Sequence, residues 1–306
     1  MTDTQIASGT PLVIAAHGTR DESGVAECRA LAERVANKLP DVPVELGFVE
    51  LAEPKIPEAV QAAVAQAPGV SEESTEGEQP VAAVVVPLMF NTGGHVREDI
   101  PEAIDEGRGG ARVAYSAPLL PDVRMRKALD RRLAETLAAG EGREQWRARD
   151  TAVVLVGRGA LVADANASHY TLTRMFWEEN DLARVEPAFI QVTRPSVPEA
   201  LTALHAQGAQ QIVVQGNFLF PGLLHVWMTE QVQAWQASHP GVEIRVAPVI
   251  GDCDEVAEVV VDRYREPLDE VGLGEGAPVY MSGLRLQGRT APVSYTHLRA
   301  HETVLD

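Results

Sequence analysis

The chain repeats itself, and that constrains its fold more than any single motif. Phe48, Pro54, Pro57, Glu58 and Ala59 in GFVELAEPKIPEAV recur as Phe189, Pro195, Pro198, Glu199 and Ala200 in AFIQVTRPSVPEAL, each 141 residues later. The same offset lays VIAAHG over VLVGRG and puts Arg158 opposite His17. Further along, His95-Val96 recurs as His225-Val226, and Ala117-Pro118 with Asp122 as Ala247-Pro248 with Asp252, now 130 residues later. An offset that holds over several elements marks a duplicated unit rather than chance similarity. The first copy is longer by 11 residues, and the surplus falls at residues 70–80, VSEESTEGEQP. That stretch is polar, acidic and punctuated by Gly and Pro, so it reads as a solvated loop.

Within the first copy, short apolar runs alternate with helical periodicity. Residues 12–16, 44–49, 81–86 and 112–115 read as strands, and residues 24–39, 57–66, 96–106 and 123–138 as helices. Strand and helix in alternation predict a parallel sheet covered on both faces. The expected fold class is therefore α/β, with two similar domains, each a four-stranded parallel sheet flanked by helices. Residues 1–140 form the first domain and 150–267 the second, joined near 140–150, where Gly140 and Gly142 suit a linker. The pattern fades in the tail, 268–306. Its last part, VSYTHLRAHETVLD, resembles a translated sequencing-adapter read-through, so His297 and His301 are set aside although their spacing mimics a helical metal site.

Charge removes some functional classes. With 26 basic and 44 acidic residues the net charge is −18, which repels nucleic-acid phosphate and anionic membrane surfaces. The opening residues show neither a basic leader nor an apolar run long enough to span a membrane, and a cytoplasmic protein is expected. Two cysteines, Cys28 and Cys253, make no disulfide framework and no CxxC motif, and read as buried or half-buried helix residues. Any metal must then be held by histidine and carboxylate, which suits exchangeable iron, cobalt or nickel better than structural zinc. No GxGxxG or GxxxxGK[ST] follows a predicted strand, which disfavours a nucleotide-binding module.

Three residues stand where open α/β sheets bind their ligands, just beyond the carboxyl ends of strands. His17 follows the first strand in AAHGTR, Glu50 ends the second in FVE, and His95 follows the third in MFNTGGHVRED. Each alone also has a plain reading: a structural hydrogen-bonder, a solvated carboxylate, a helix-start residue. Together they deliver two imidazoles and a carboxylate to one crevice, a set that holds one divalent ion and leaves positions open for a second reactant. An imidazole with the ordinary pKa of about 6.5 also accepts a proton near neutral pH.

The runs PLVIAAHGTRDESG, ELGFVELAEPKIPEAV and VVVPLMFNTGGHVREDIPEAI resemble the sirohydrochlorin chelatases, in their long, internally duplicated bacterial form, from about Pro11 to Tyr264. The resemblance implies two chelatase-like α/β domains facing one another across a cleft, with the active site mainly in the N-terminal one. It implies insertion of Co2+, Fe2+ or Ni2+ into a tetrapyrrole for siroheme or cobalamin synthesis, with the ion as substrate and no organic cofactor. His17 and His95 would handle metal and protons, and Glu50 would be an accessory ligand or acid/base. The second copy carries Arg158 and Gln191 in place of the first histidine and the glutamate, keeping only His225. Arg20, Arg97, Arg124 and Arg158 are candidate partners for the substrate's carboxylates, and His225 a candidate substrate contact. The Met175-Phe176-Trp177 cluster reads as core packing or as a cleft lining, and His169, His205 and His239 as solvated or partly packed. Two other readings stay open: a chelatase for another tetrapyrrole, and a non-catalytic metal- or tetrapyrrole-binding protein.

Overall fold

A computed structural model describes residues 9–68, 80–90, 93–120, 122–138, 145–161 and 163–271. The first half runs β1 (Leu12–Ala16), α1 (Glu22–Lys38), β2 (Val44–Phe48), α2 (Ile56–Ala65), β3 (Ala83–Pro87), α3 (Gly94–Arg97), α4 (Asp99–Gly107), β4 (Val113–Tyr115) and α5 (Val123–Ala138). The second runs β5 (Ala152–Gly157), α6 (Ala163–Glu179), β6 (Arg184–Phe189), α7 (Val197–Ala206), β7 (Gln211–Gly216), α8 (Leu223–Ala237), β8 (Glu243–Val246) and α9 (Asp254–Val271). Both sheets are parallel and have the same order, β2-β1-β3-β4 and β6-β5-β7-β8. Corresponding pairs keep register, with Ala16 beside Phe48 and Gly157 beside Phe189. The duplicated α/β architecture expected from the repeat is present.

The central strands are apolar at every position because both faces are covered. Leu12, Ile14 and Ala16 of β1 face one apolar cluster, while Val13 and Ala15 face another with Ile56, Val60 and Ile100. Local signals set the helix starts: Asp21 caps α1 by accepting from the Ser23 N–H at 2.9 Å, and Glu58 and Glu199 accept from the backbone N–H of Lys55 and Ser196. One helix expected over 96–106 is instead two, α3 and α4, broken at Glu98. Pro101 explains the break, since its ring lacks an N–H for the Arg97 carbonyl and would collide with it in a continuous helix.

The halves do not bury separate cores. Leu12, Ile14 and Val84 of the first sheet belong to one cluster with Val153, Leu155 and Val213 of the second. The last helices are exchanged: α9 packs on α1 and β3, while α5 packs on α6 and β7. Polar contacts fix the exchange. Tyr264 Oη donates to Thr10 O at 2.7 Å, Ser116 Oγ to Arg263 O at 2.6 Å, and Gln215 Nε2 to Leu129 O at 2.7 Å. Arg34 adds a fork onto Asp252 at 2.6 and 2.8 Å. The 70–79 stretch, residues 139–144 of the junction and the tail from 272, with His297 and His301, lie outside the described residues.

Candidate active site

His17 leaves β1 into a turn whose geometry depends on its neighbour. Gly18 has φ +96°, and a Cβ there would sit 1.8 Å from the Glu50 carbonyl oxygen. Only glycine lets the two strand ends approach so closely. The Glu50 N–H then donates to His17 O at 3.0 Å, locking the ends of β1 and β2 together. Leu51 follows with φ +63°, a left-handed conformation that non-glycine residues seldom adopt and that turns the chain sharply after the glutamate.

The result is convergence of the expected residues. His17 Nε2 lies 3.8 Å from Glu50 Oε1, and the His17 and His95 ring centroids are 4.6 Å apart at 87°. Two ligand atoms each about 2.05 Å from one ion stand at most about 4.1 Å apart, and two imidazoles on one ion have centroids about 4.5–5 Å apart. Taken pair by pair, both spacings fall within the span of one ion. Side-chain exposures of 43% for His17, 52% for Glu50 and 35% for His95 leave the group open to solvent. Among the described residues, no group of three or more His, Cys, Asp or Glu side chains is placed so that it could hold a metal ion.

The ring nitrogens are assigned by their partners. His17 Nδ1 lies 3.0 Å from Gly18 O, and a carbonyl only accepts, so Nδ1 donates and Nε2 keeps its lone pair. His95 Nδ1 donates to Asp99 Oδ2 at 2.5 Å, again leaving Nε2 free. In metal sites generally, a carboxylate so placed orients a ligand histidine and raises its basicity. Asp99, four residues after His95, is a site neighbour that the strand-end pattern alone does not mark. Thr229 stands at the equivalent place after His225, so the second copy has lost this partner as well.

The second copy keeps one of the three residues, His225, and carries Arg158 and Gln191 in place of the other two. Gly159, at φ +91°, packs against Gln191 O as Gly18 does against Glu50, so the backbone frame is kept while the chemistry is not. Arg158 is exposed at the end of β5. His225 starts α8 with a buried Nδ1 that has no hydrogen-bond partner, and burial holds its pKa below the usual imidazole range. The loop before it reaches the first half: a Cβ on Gly24 would lie 2.5 Å from Pro221 O, and one on Gly222 3.6 Å from Thr19 Oγ1. Just beyond, Leu223 and Trp227 are exposed apolar side chains.

Of the candidate cations, Arg20 ahead of α1, Arg97 at the end of α3 and Arg158 after β5 are exposed and form no ion pair among the described residues. Arg124 is occupied instead, holding Asp122 at 2.7 Å and Asp262 at 2.8 Å. Phe176 is fully buried and Trp177 packs beside it, so these two are core, whereas Met175 is exposed. His169 is buried too, donating from Nε2 to Leu155 O at 3.0 Å. Both cysteines are buried, and burial pushes the Cys28 thiol up to about 12, far from a metal-binding thiolate. Cys253 precedes α9 rather than lying in a helix.

A family model, CbiX, matches residues 11–136 and again 152–267. A sirohydrochlorin cobaltochelatase of Priestia megaterium is 30% identical over 256 residues, covering 83% of this chain and 78% of that protein. A sirohydrochlorin ferrochelatase of Bacillus subtilis (strain 168) is 28% identical over 254 residues, 82% of this chain and 88% of that one. The solved structure of SirB from Bacillus subtilis with Fe3+ shares the fold, with a TM-score of 0.68 at 24% identity over 84% of this chain and 95% of that one.

Proposed function

Because the chain belongs to the CbiX family, we propose that His17, His95 and Glu50 are the residues with which it performs the family's reaction. The protein is a lyase, a sirohydrochlorin chelatase that inserts a divalent metal into the tetrapyrrole, and relatives named for cobalt and for iron both match it. Insertion forms four metal–nitrogen bonds and releases two pyrrole protons, so the site must hold the ion loosely and accept protons. The observation that carries the assignment is the 4.6 Å pairing of His17 and His95 with both Nδ1 atoms engaged, which leaves two Nε2 lone pairs for the ion. As the ion passes to the macrocycle, each freed Nε2 becomes a base for a pyrrole proton. Glu50 contributes negative charge beside the ion, and Asp99 holds the His95 ring and stabilises it once protonated.

In the same reading, Arg20, Arg97 and Arg158 take the substrate's carboxylates, because each is an exposed guanidinium without an ion pair among the described residues. His225, Leu223 and Trp227 contact the flat macrocycle from the second half. Among the described residues no helix is long and apolar enough to cross a membrane. We place the activity in the cytoplasm, without nucleic acid or membrane as partner, in keeping with the net charge of −18. The test is anaerobic incubation of the purified chain with sirohydrochlorin and Co2+ or Fe2+, followed by absorbance. Metal-dependent conversion that is slowed strongly in well-folded His17→Ala supports the assignment, and an unchanged rate in that variant refutes it.

A further inference from the structure

At the opposite edge of the second sheet from Arg158, two more histidines meet. His205 lies in the last turn of α7, and His239 follows α8 directly after its cap residue Ser238. Their ring centroids are 5.4 Å apart at 77°. Two imidazoles bound to one ion at about 2.1 Å per nitrogen, in tetrahedral geometry, have centroids about 5 Å apart. His239 is held firmly: its ring stacks on the Trp235 indole at 3.7 Å and 4°, and its Nδ1 donates to Trp235 O at 2.8 Å. Its Nε2 therefore keeps a lone pair. The His205 side chain is exposed and makes no hydrogen bond among the described residues. The indole is itself anchored to α7, donating from Nε1 to Thr202 Oγ1 at 2.9 Å, so the two helix ends that carry the histidines are tied together. Both are carboxyl ends, whose partial negative charge favours a cation.

We propose that His205 and His239 form a second divalent-cation site, a two-histidine surface site for borderline metals completed by water, separate from His17 and His95. Neutral imidazoles select first-row transition ions over Mg2+ or Ca2+. The open coordination sphere makes it a site of rapid exchange, suited to loading the protein with an ion rather than to chemistry.

Trp235 supplies the readout, since a bound paramagnetic ion quenches a stacked indole. Cu2+ is titrated into the full chain carrying His95→Ala, with tryptophan fluorescence followed and folding checked by circular dichroism. The same titration is repeated with His205→Ala, His239→Gln and Trp235→Phe added separately. The proposal predicts saturable quenching, weakened by about tenfold or more in His205→Ala, since loss of even an outer partner of a metal ligand costs that much. His239→Gln should behave likewise, and Trp235→Phe should abolish most of the quenching. Because His205 is exposed, its alanine variant keeps the fold and stands as the decisive arm. Quenching of unchanged midpoint in His205→Ala overturns the proposal, as does quenching unaffected by Trp235→Phe. None of these outcomes bears on metal insertion at His17 and His95, so the two assignments fail or stand separately.

Discussion

Gly18→Ala and Gly159→Ala form a matched pair that separates framework from chemistry. Each glycine has a left-handed backbone, φ +96° and +91°, and in each a Cβ would fall inside the carbonyl of the neighbouring strand end, 1.8 Å from Glu50 O and 2.0 Å from Gln191 O. Cβ atoms essentially never come within 3.0 Å of such an atom, so in both variants one strand end must yield by about 1 Å or more. The backbone term alone costs about 1–2 kcal/mol for a residue with a Cβ, so both should lose similar stability. For a chain of this size that is roughly 2–4 °C of Tm per kcal/mol. The effect on turnover should differ sharply. In Gly18→Ala the displaced groups are His17 and Glu50, and misplacing a reacting group by about 1 Å costs on the order of a hundredfold in rate. In Gly159→Ala the displaced groups are Arg158 and Gln191, so the loss should be several-fold at most and fall mainly on substrate affinity. The assay is the initial rate of metal insertion into sirohydrochlorin at saturating metal, with Tm measured on the same preparations. Equal losses of rate in the two variants, or a wild-type rate in Gly18→Ala, would refute the reasoning that the first strand-end turn positions the chemistry.

Other expectations are more local. Asp99→Asn should slow insertion by about 10- to 100-fold with little change in Tm, because it unsettles the His95 tautomer without removing a core contact; an unchanged rate would leave Asp99 a surface residue. Tyr264→Phe, which deletes a buried hydroxyl and its bond to Thr10 O, should cost about 1 kcal/mol in denaturant unfolding. Burial lowers the pKa values of His169 and His225, so unfolding takes up protons at these sites and stability should fall as pH drops below about 6.5, the unfolded value. Asp122, whose pKa is lowered by its bonds to Arg124, adds its loss only below about pH 4. His169→Gln should flatten the first of these declines in a series of melting curves, and a decline identical to wild type would count against it.

The positions of His17 and Glu50 were legible because position after a parallel strand is set by local pattern, and the apolar runs ending at Ala16 and Phe48 are unambiguous. The repeat carried the rest, since a residue's chemistry in one copy can be weighed against its partner in the other. Three features escaped for physical reasons. The exchange of α5 and α9 depends on which apolar face meets which sheet, and helical periodicity marks a face without naming its partner. The break between α3 and α4 was signalled by Pro101, but the apolar spacing of Val96, Ile100 and Ile104 runs through it. Asp99 looked like one more acid in a chain with 44 of them, and only its bond to His95 distinguishes it.

The central claim is that the first copy carries the chemistry and the second has kept the frame without it. It is tested most directly by comparing His95→Ala with His225→Ala in the anaerobic insertion assay, metal and tetrapyrrole both saturating and folding confirmed for each. The two histidines occupy equivalent helix starts, but only His95 lies against a second imidazole and bonds to a carboxylate. His95→Ala should lose nearly all turnover, while His225→Ala should retain most of it. Abolished turnover in His225→Ala together with a wild-type rate in His95→Ala would place the active site in the second copy and contradict the account.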